Sequence, residues 1–319
     1  MTNDHFVAET YLKHFGDASN GDKMRAYRKL DGKSFPCRPN DVCCEWDGDQ
    51  NPLLAKKELL GDYRKIFEPQ WNCSIETLLA KTMSPLEMFA VSGYFANLLV
   101  CTPTWRRIGV TMLNHNAKVL LSFSKKMQEK HGGNSELPVE AIDMLEKGEI
   151  TLEHDPDYVK AQATRQLLHY AWLTYHQDWT IIRNSTEYPF ITSDNPVAIL
   201  QSDNLHEPAT RYLPITPTLC LSVRYDRTNL PPFDPSLPPK GCVGWATAKP
   251  NEAKAINKLV AQCAEDLVFN STASPGIEAL VKNCTGFRVE VDFVEFPADE
   301  PDAVYQASTI RVRDTRLSR

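Results

Sequence analysis

The sequence predicts an α+β fold, in which an N-terminal helical bundle packs on a C-terminal, mostly antiparallel or mixed sheet with flanking helices. Three observations carry this. Between Asn51 and His176 apolar residues recur at helical spacing. After Trp179 the chain breaks into short β-branched and aromatic runs separated by Pro, Asn and Asp. Near the end, Phe287 to Val294 alternates apolar and polar residues, the period of a half-buried strand. Helices gathered ahead of strands are the mark of an α+β chain rather than an alternating α/β one.

Taken in order, His5 to Phe15, if helical, sets His5, Glu9 and Lys13 on one stripe at spacing four while Leu12 and Phe15 pack inward. Asn51-Pro52 reads as a cap with proline at the first helical position, followed by the apolar positions Leu53, Leu54, Leu59, Leu60, Tyr63, Ile66 and Phe67. Pro69, Pro85 and Pro103 punctuate the region into helices near 52–67, 70–82, 84–101 and 103–131. Gly132-Gly133-Asn134-Ser135 reads as a loop, and helices near 138–147 and 156–177 follow. Strands are expected at 179–183, 189–191, 197–200, 212–215 and 219–225. The proline-dense 230–239 is an irregular excursion; Pro250-Asn251-Glu252 then opens a helix that runs on to Asp266, and Pro275 another to Cys284. One domain results, with a helical half 1–177, a β-rich half 178–300, and a basic tail 301–319 carrying Arg311, Arg313, Arg316 and Arg319.

With 319 residues and 42% hydrophobic composition the chain can bury a core without disulfides or metal. Nine scattered cysteines suit free thiols in a reducing compartment, and Cys37, Cys43 and Cys44 lack the CxxC step and histidine pair of a zinc site. No metal or cofactor is expected. There is no apolar run of about eighteen residues, and Met1-Thr2-Asn3-Asp4-His5 does not open like a signal peptide, so a cytoplasmic location without a membrane partner is expected. A formal net charge of −6 weighs against binding of long DNA through a general positive field. Local basic segments remain, above all Arg106, Arg107, Lys118, Lys125, Lys126 and Lys130; such runs are usually solvated faces. GxGxxG and GxxxxGK[ST] are absent and glycines number only 14, which leaves a phosphate-cradling loop without a seat and disfavours ATP-driven activation. HExxH and GxSxG are absent too.

Four places keep ionisable groups where a pocket could use them. In the first, Glu9 beside His5 would raise the imidazole pKa and make a base or proton shuttle, against the plainer reading of solvated ion pairs. In the second, Arg165, His169, Trp172 and His176 fall on one helical face suited to an anion or a flat ring, or else to a core histidine beside a surface arginine. The third, Thr102-Pro103-Thr104-Trp105-Arg106-Arg107, places a helix start and two guanidinium groups where a phosphate or carboxylate could bind. The fourth is Pro189-Phe190-Ile191-Thr192-Ser193-Asp194-Asn195-Pro196-Val197, a strand that stops in an Asx-type turn and concentrates hydroxyls, a carboxylate and an amide at its end.

These segments resemble a large domain-of-unknown-function family with the ordered motifs H-x-V-P-x-x-Y-L-x-x-F, R-T-P-x-x-R, F-x-T-S-D-N-P-V and P-L-S-P. The matching stretches are His5 to Phe15, Thr102-Pro103 with Arg106, Phe190 to Val197, and Leu213-Pro214-Ile215-Thr216-Pro217; Ala8 stands where the family has proline, and Cys101 where it has arginine. Cys44 to Pro52, running on through Arg64-Lys65-Ile66-Phe67-Glu68-Pro69 to Trp71-Asn72, looks like the fungal branch, whose members include arginine-containing cyclodipeptide synthases.

That resemblance implies a single catalytic domain that joins arginine to a second residue as a diketopiperazine, with arginyl-tRNA and a second aminoacyl-tRNA as partners. The aminoacyl ester is already activated, so the reaction needs positioning, a base and an oxyanion donor rather than ATP or a metal. The roles it implies are His5 or His169 as base, Asp194 or Glu9 for the guanidinium or ammonium, and Arg106 for a phosphate or the oxyanion. Ser193 would be an acyl acceptor. Arg165, Trp172 and Asn195 join the substrate site, and Arg107, Lys118, Lys125 and Lys126 the path for transfer RNA. On this reading His5, Glu9, Arg106, His169 and Asp194 should converge on one cavity. The alternative class is a conflict-related nucleic-acid-binding protein or metal-dependent nuclease with His5, Glu9 and Asp194 as ligands.

Overall fold

The computed structural model describes residues 2–131, 139–201, 207–226, 230–234, 237–296 and 305–316. The expected loop Gly132 to Ser135 lies outside the described residues, as do positions 235 and 236 of the proline-dense excursion.

The first fifty residues are richer in strands than expected: β1 (Asn3–His5), a single helical turn α1 (Glu9–Leu12), β2 (Met24–Arg28), β3 (Ser34–Cys37) and β4 (Cys44–Trp46). His5 pairs with Cys44 in the β1–β4 ladder, and helix begins only at Glu9. The stripe of His5, Glu9 and Lys13 therefore does not form, although Glu9 and Lys13 pair at 2.9 Å across one turn.

The helices follow the proline punctuation. They are α2 (Leu59–Phe67), α3 (Trp71–Ala80), α4 (Pro85–Val100), α5 (Pro103–His131), α6 (Val139–Glu146) and α7 (Pro156–Tyr175). Helix α2 starts later than the sequence suggests because Asn51 shapes a turn instead of a cap: its side chain accepts the Leu53 N–H and donates to the Asp157 carbonyl. Ser84 and Glu87 form a reciprocal capping box at the start of α4. Nearly all of α4 is buried, with Tyr94, Phe95, Ala96 and Leu98 fully enclosed among α2, α3 and α7. Gly93 permits that packing, since a Cβ there would lie 2.2 Å from the Phe67 ring. Among the described residues no single helix is long and apolar enough to cross a membrane.

The remaining elements are β5 (Asp178–Arg183), β6 (Thr192–Ser193), β7 (Ala198–Leu200), β8 (Thr210–Thr216), β9 (Leu219–Arg224), β10 (Val243–Thr247), α8 (Pro250–Cys263), β11 (Leu267–Asn270), α9 (Pro275–Asn283), β12 (Phe287–Phe296) and β13 (Tyr305–Asp314). A five-stranded sheet runs β10-β5-β9-β8-β7, antiparallel apart from the parallel β10–β5 pair. Its residues alternate between two cores. Ile181, Leu213, Ile215, Leu221 and Val223 share one with α4 and α7, while Ile182, Ala198 and Cys220 share the other with α8, α9 and β12. A second sheet, β3-β2-β11-β6, is antiparallel and draws strands from both ends of the chain, so the halves 1–177 and 178–300 interlock.

The basic tail is corrected as well. Residues 305–314 form β13, paired along its length with β12. Ile310 and Val312 pack on the core while Arg311 and Arg313 reach Asp292, and Arg316 reaches Asp314.

Gly93→Ala is expected to destabilise the protein by about 1–3 kcal/mol, because the added methyl overlaps the buried Phe67 ring. Denaturant titration checks this. The companion change Phe67→Leu should recover part of the loss in the double variant, whereas simple additivity would place the effect elsewhere.

Candidate functional site

The polar turn at the end of β6 is the point where the separated motifs meet. Tyr11 donates to the Pro214 carbonyl at 2.6 Å and shares a hydrogen bond of 2.7 Å with the Thr192 hydroxyl, tying the opening segment to two strands of the second half. The Asp194 carboxylate accepts three backbone N–H groups, from Glu265 at 2.9 Å, Asp266 at 2.7 Å and Leu267 at 2.9 Å. Asn195 donates to the Cys263 carbonyl at 2.8 Å and accepts from the Thr102 hydroxyl at 3.3 Å. Ser193 Oγ accepts the Asn195 N–H at 3.2 Å.

Two further links complete this network. Lys29 donates to the carbonyls of Gln262, Ala264 and Phe287 at 3.1, 2.6 and 2.7 Å. Glu265 receives Thr104 at 2.8 Å and a bidentate Arg107 at 2.8 and 2.9 Å; Arg107 also meets Glu290 and the Val289 carbonyl. Burial pushes the Asp194 carboxyl up to about 6, opposed by its three amide donors, which leaves it ionised at neutral pH. Burial lowers the Lys29 ammonium, with Asp194 acting against that shift. Burial would raise the Glu265 carboxyl, yet Arg107 outweighs it and holds the group below its ordinary value.

The expected site residues do not gather around one opening. Ser193, Asp194 and Asn195 are buried links of the network, with their polar groups turned to the chain itself. Arg106 pairs with Glu45 at 2.7 Å, and Arg107 is committed to Glu265 and Glu290. His5 lies on β1 with its Nε2 buried and without a hydrogen-bond partner, and Glu9 pairs with Lys13. The α7 stripe divides. Arg165 and His169 are exposed, but Trp172 is buried against Phe233 and donates to the Pro231 carbonyl, and His176 Nδ1 accepts the Lys240 N–H. On α5, Lys125 pairs with Asp143, while Lys118 and Lys126 are exposed.

A cavity lies instead between α5, α7, the ends of β7 to β9, and β13. It has a volume of about 610 Å³ and is lined by none of His5, Glu9, Arg106, His169 and Asp194. Helices α5 and α7 come close at one wall, where a Cβ on Gly109 would lie 2.7 Å from Val159. Trp105, Tyr158 and Tyr170 supply aromatic surface; Asn116, Gln162, Gln166 and Gln201 supply amides; Glu207 and Asp226 supply exposed carboxylates.

Arg211 also lines this cavity. It is only 4% exposed, its Nε and Nη1 have no hydrogen-bond partner, and its guanidinium lies 4.9 Å from the Tyr225 ring centre and 6.0 Å from that of Tyr170. Unmade hydrogen bonds at a buried polar group cost about 1–3 kcal/mol or more, and the ring contacts offset about 0.5–2 kcal/mol. Sequence reasoning passed over Arg211. The available signal was a charge directly ahead of the apolar run Tyr212-Leu213-Pro214-Ile215.

Residues 3–274 match the model of a family described as protein of unknown function (DUF4238). The chain belongs to this family. Comparison with curated proteins found no match, and comparison with solved structures found none. The DUF4238 span contains Tyr11, Thr102, Thr192 to Asn195, Pro214 and the Glu265 corner, whereas Phe287, Val289 and Glu290, which also join the network, lie beyond it. Hairpin β12–β13, which closes the cavity through Ser308, Thr309 and Ile310, lies beyond the DUF4238 match.

Asp194→Asn is expected to lower stability by about 1–3 kcal/mol, because an amide NH₂ would point a donor at backbone donors that now face carboxylate oxygens. Thermal and denaturant unfolding measure it. An unchanged melt would show that the carboxylate's negative charge and acceptor capacity are dispensable at this corner.

Proposed function

We propose that the protein is a cytoplasmic aminoacyl-tRNA-dependent cyclodipeptide synthase that joins arginine to a second amino acid, and that the reaction takes place in the Arg211 cavity. The resemblance of four ordered motif segments to the arginine-containing synthase branch supports the reaction class. The observation that carries the choice of site is the separation of charge within one cavity: a buried guanidinium in its wall and the exposed carboxylates of Glu207 and Asp226 on its lining. A cavity of about 610 Å³ is of the size that holds small organic ligands.

In this reading Glu207 and Asp226 receive the arginyl guanidinium and Arg211 faces the negative groups of the ester end. The α-amine of one residue attacks the ester carbonyl of the other, forming an amide and breaking the ester bond; the released ribose oxygen takes the proton lost by the amine. A second such attack closes the ring and releases the second transfer RNA. The burial of Ser193 favours direct transfer between two bound residues over an acyl-enzyme route. With Arg106 and Arg107 paired to carboxylates, exposed Lys118 and Lys126 remain as contacts for the RNA. The nuclease reading loses support: it needs His5, Glu9 and Asp194 to converge, whereas Glu9 pairs with Lys13 and Asp194 is enclosed by three amides.

Metabolite analysis of a host expressing the full chain should reveal a cyclic dipeptide containing arginine. Glu207→Gln combined with Asp226→Asn should cut its yield by about tenfold or more in a protein that remains folded, as expected for lost charge-assisted hydrogen bonds to the guanidinium. Absence of arginine-containing cyclic dipeptides from both the host and reactions supplied with charged transfer RNA would overturn the assignment.

A further inference from the structure

We infer that the Arg211 cavity is a nucleotide site, in which Arg211 receives a phosphate, Trp105, Tyr158 and Tyr170 offer stacking surface for a base, and the amides of Asn116, Gln162 and Gln166 meet the base edges. The inference rests on the reading above only for the source of the nucleotide, which would be the 3′-terminal adenylate residue of transfer RNA.

Three features of the cavity select this ligand class. The first is the guanidinium of a cavity-lining residue, 4% exposed and with Nε and Nη1 enclosed and lacking partners, which a small side-chain movement toward the cavity would bring to an oxyanion. A planar fork of donors suits phosphate in particular. The second is aromatic surface from two different helices, Trp105 on α5 and Tyr158 and Tyr170 on α7, which suits a flat ring. The third is the set of amide side chains. An amide presents a donor and an acceptor side by side, the complement of a purine edge, and Asn or Gln serves adenine in this way elsewhere. A purely apolar acid would use the rings and the guanidinium but leave the amides without a role.

Glu207 and Asp226 line the same cavity and would repel a phosphate. They are exposed, however, where water screens them, whereas Arg211 acts from the interior, where a charge is felt more strongly. Their placement suits the cationic side chain of an aminoacyl group attached to the bound nucleotide. A volume of about 610 Å³ leaves room for both.

Calorimetric titration of the full chain with AMP, adenosine, CMP and inorganic phosphate tests the assignment. AMP should bind about tenfold or more tightly than adenosine and more tightly than CMP or phosphate alone, and Arg211→Met should abolish the preference of AMP over adenosine. Equal binding of AMP and adenosine by the wild type overturns the phosphate role without recourse to any variant, and so does a preference that survives in a folded Arg211→Met protein. Trp105→Ala should weaken adenosine as well as AMP; an unchanged adenosine affinity overturns the base platform. Transfer RNA with and without its terminal adenosine separates the sources: loss of competition with AMP on trimming assigns the RNA end, and unaltered competition rejects it in favour of the free nucleotide. The readout is binding, so a nucleotide site in a protein that makes no cyclic dipeptide refutes the synthase reading alone. A synthase with no AMP preference refutes this inference alone.

Discussion

Where α8 ends and β11 begins, the chain turns through residues 262–267, with Cys263 and Ala264 buried and Asp266 exposed, and its backbone groups have to be satisfied where the helix no longer does so. Two ionised side chains do this from opposite sides. Lys29 takes the carbonyls of Gln262 and Ala264, and Asp194 takes the amides of Glu265, Asp266 and Leu267. A helix C-terminus leaves carbonyls without intrahelical partners and carries partial negative charge, so an ammonium group there is favoured twice, by hydrogen bonding and by the dipole. The carboxylate answers the amides that emerge beyond it. Each charge also helps to neutralise the other in a setting where either alone would be strongly disfavoured.

The surrounding architecture depends on that corner. Val268 and Phe269 pair with Ser193 and Thr192 on one side and with Tyr27 and Ala26 on the other, so the corner's position sets the register of the sheet that interlocks the two halves. Glu265, the first residue whose amide Asp194 holds, reaches Thr104 and Arg107 and thereby fixes the first turns of α5. That same stretch of α5 supplies Trp105 and Ile108 to the cavity, and Cys263 meets the backbone of Ile199, another cavity residue. The motif turn therefore acts on the cavity through position. A rigid network behind the walls keeps aromatic and amide groups in place while contributing no atom to the opening itself.

Much of the helical framework was legible because its signals are local. Proline opens α4, α5 and α7, and the expected limits 103–131 coincide with α5. The N-terminal strands were not, since β1 to β4 are three to five residues long and Arg25 and Arg28 interrupt the apolar content of β2. In β13 the alternation of Ile310 and Val312 with Arg311 and Arg313 was present, but the density of arginine made the segment read as a basic tail. Asp194 stood out correctly as unusual, yet its partners are backbone amides more than seventy residues away, which leave no signature in side-chain sequence. His5 and the α7 stripe failed for a different reason. A periodic face says which residues share a side of a helix, not whether a helix forms at His5 or what later covers Trp172.

The buried cations show why Arg211 differs from a structural arginine. Lys29 has three carbonyls, and Arg64 has Asp49 and Asn97. Arg107, half-buried, has two carboxylates and a carbonyl. In each case the fold brings up acceptors from distant segments to match the charge. For Arg211 it brings up the rings of Tyr225 and Tyr170, which tolerate a cation but accept no directed hydrogen bond of ordinary strength, and it leaves open volume beside them. A guanidinium placed in this way keeps donors for which the fold supplies no acceptor, so an anion that reaches them adds directed bonds that the fold does not. Its unmet donors also make the site selective. An anionic group gains directed bonds in a low-dielectric wall, while a neutral ligand of the same shape leaves the donors unmet, and that difference in free energy distinguishes the two.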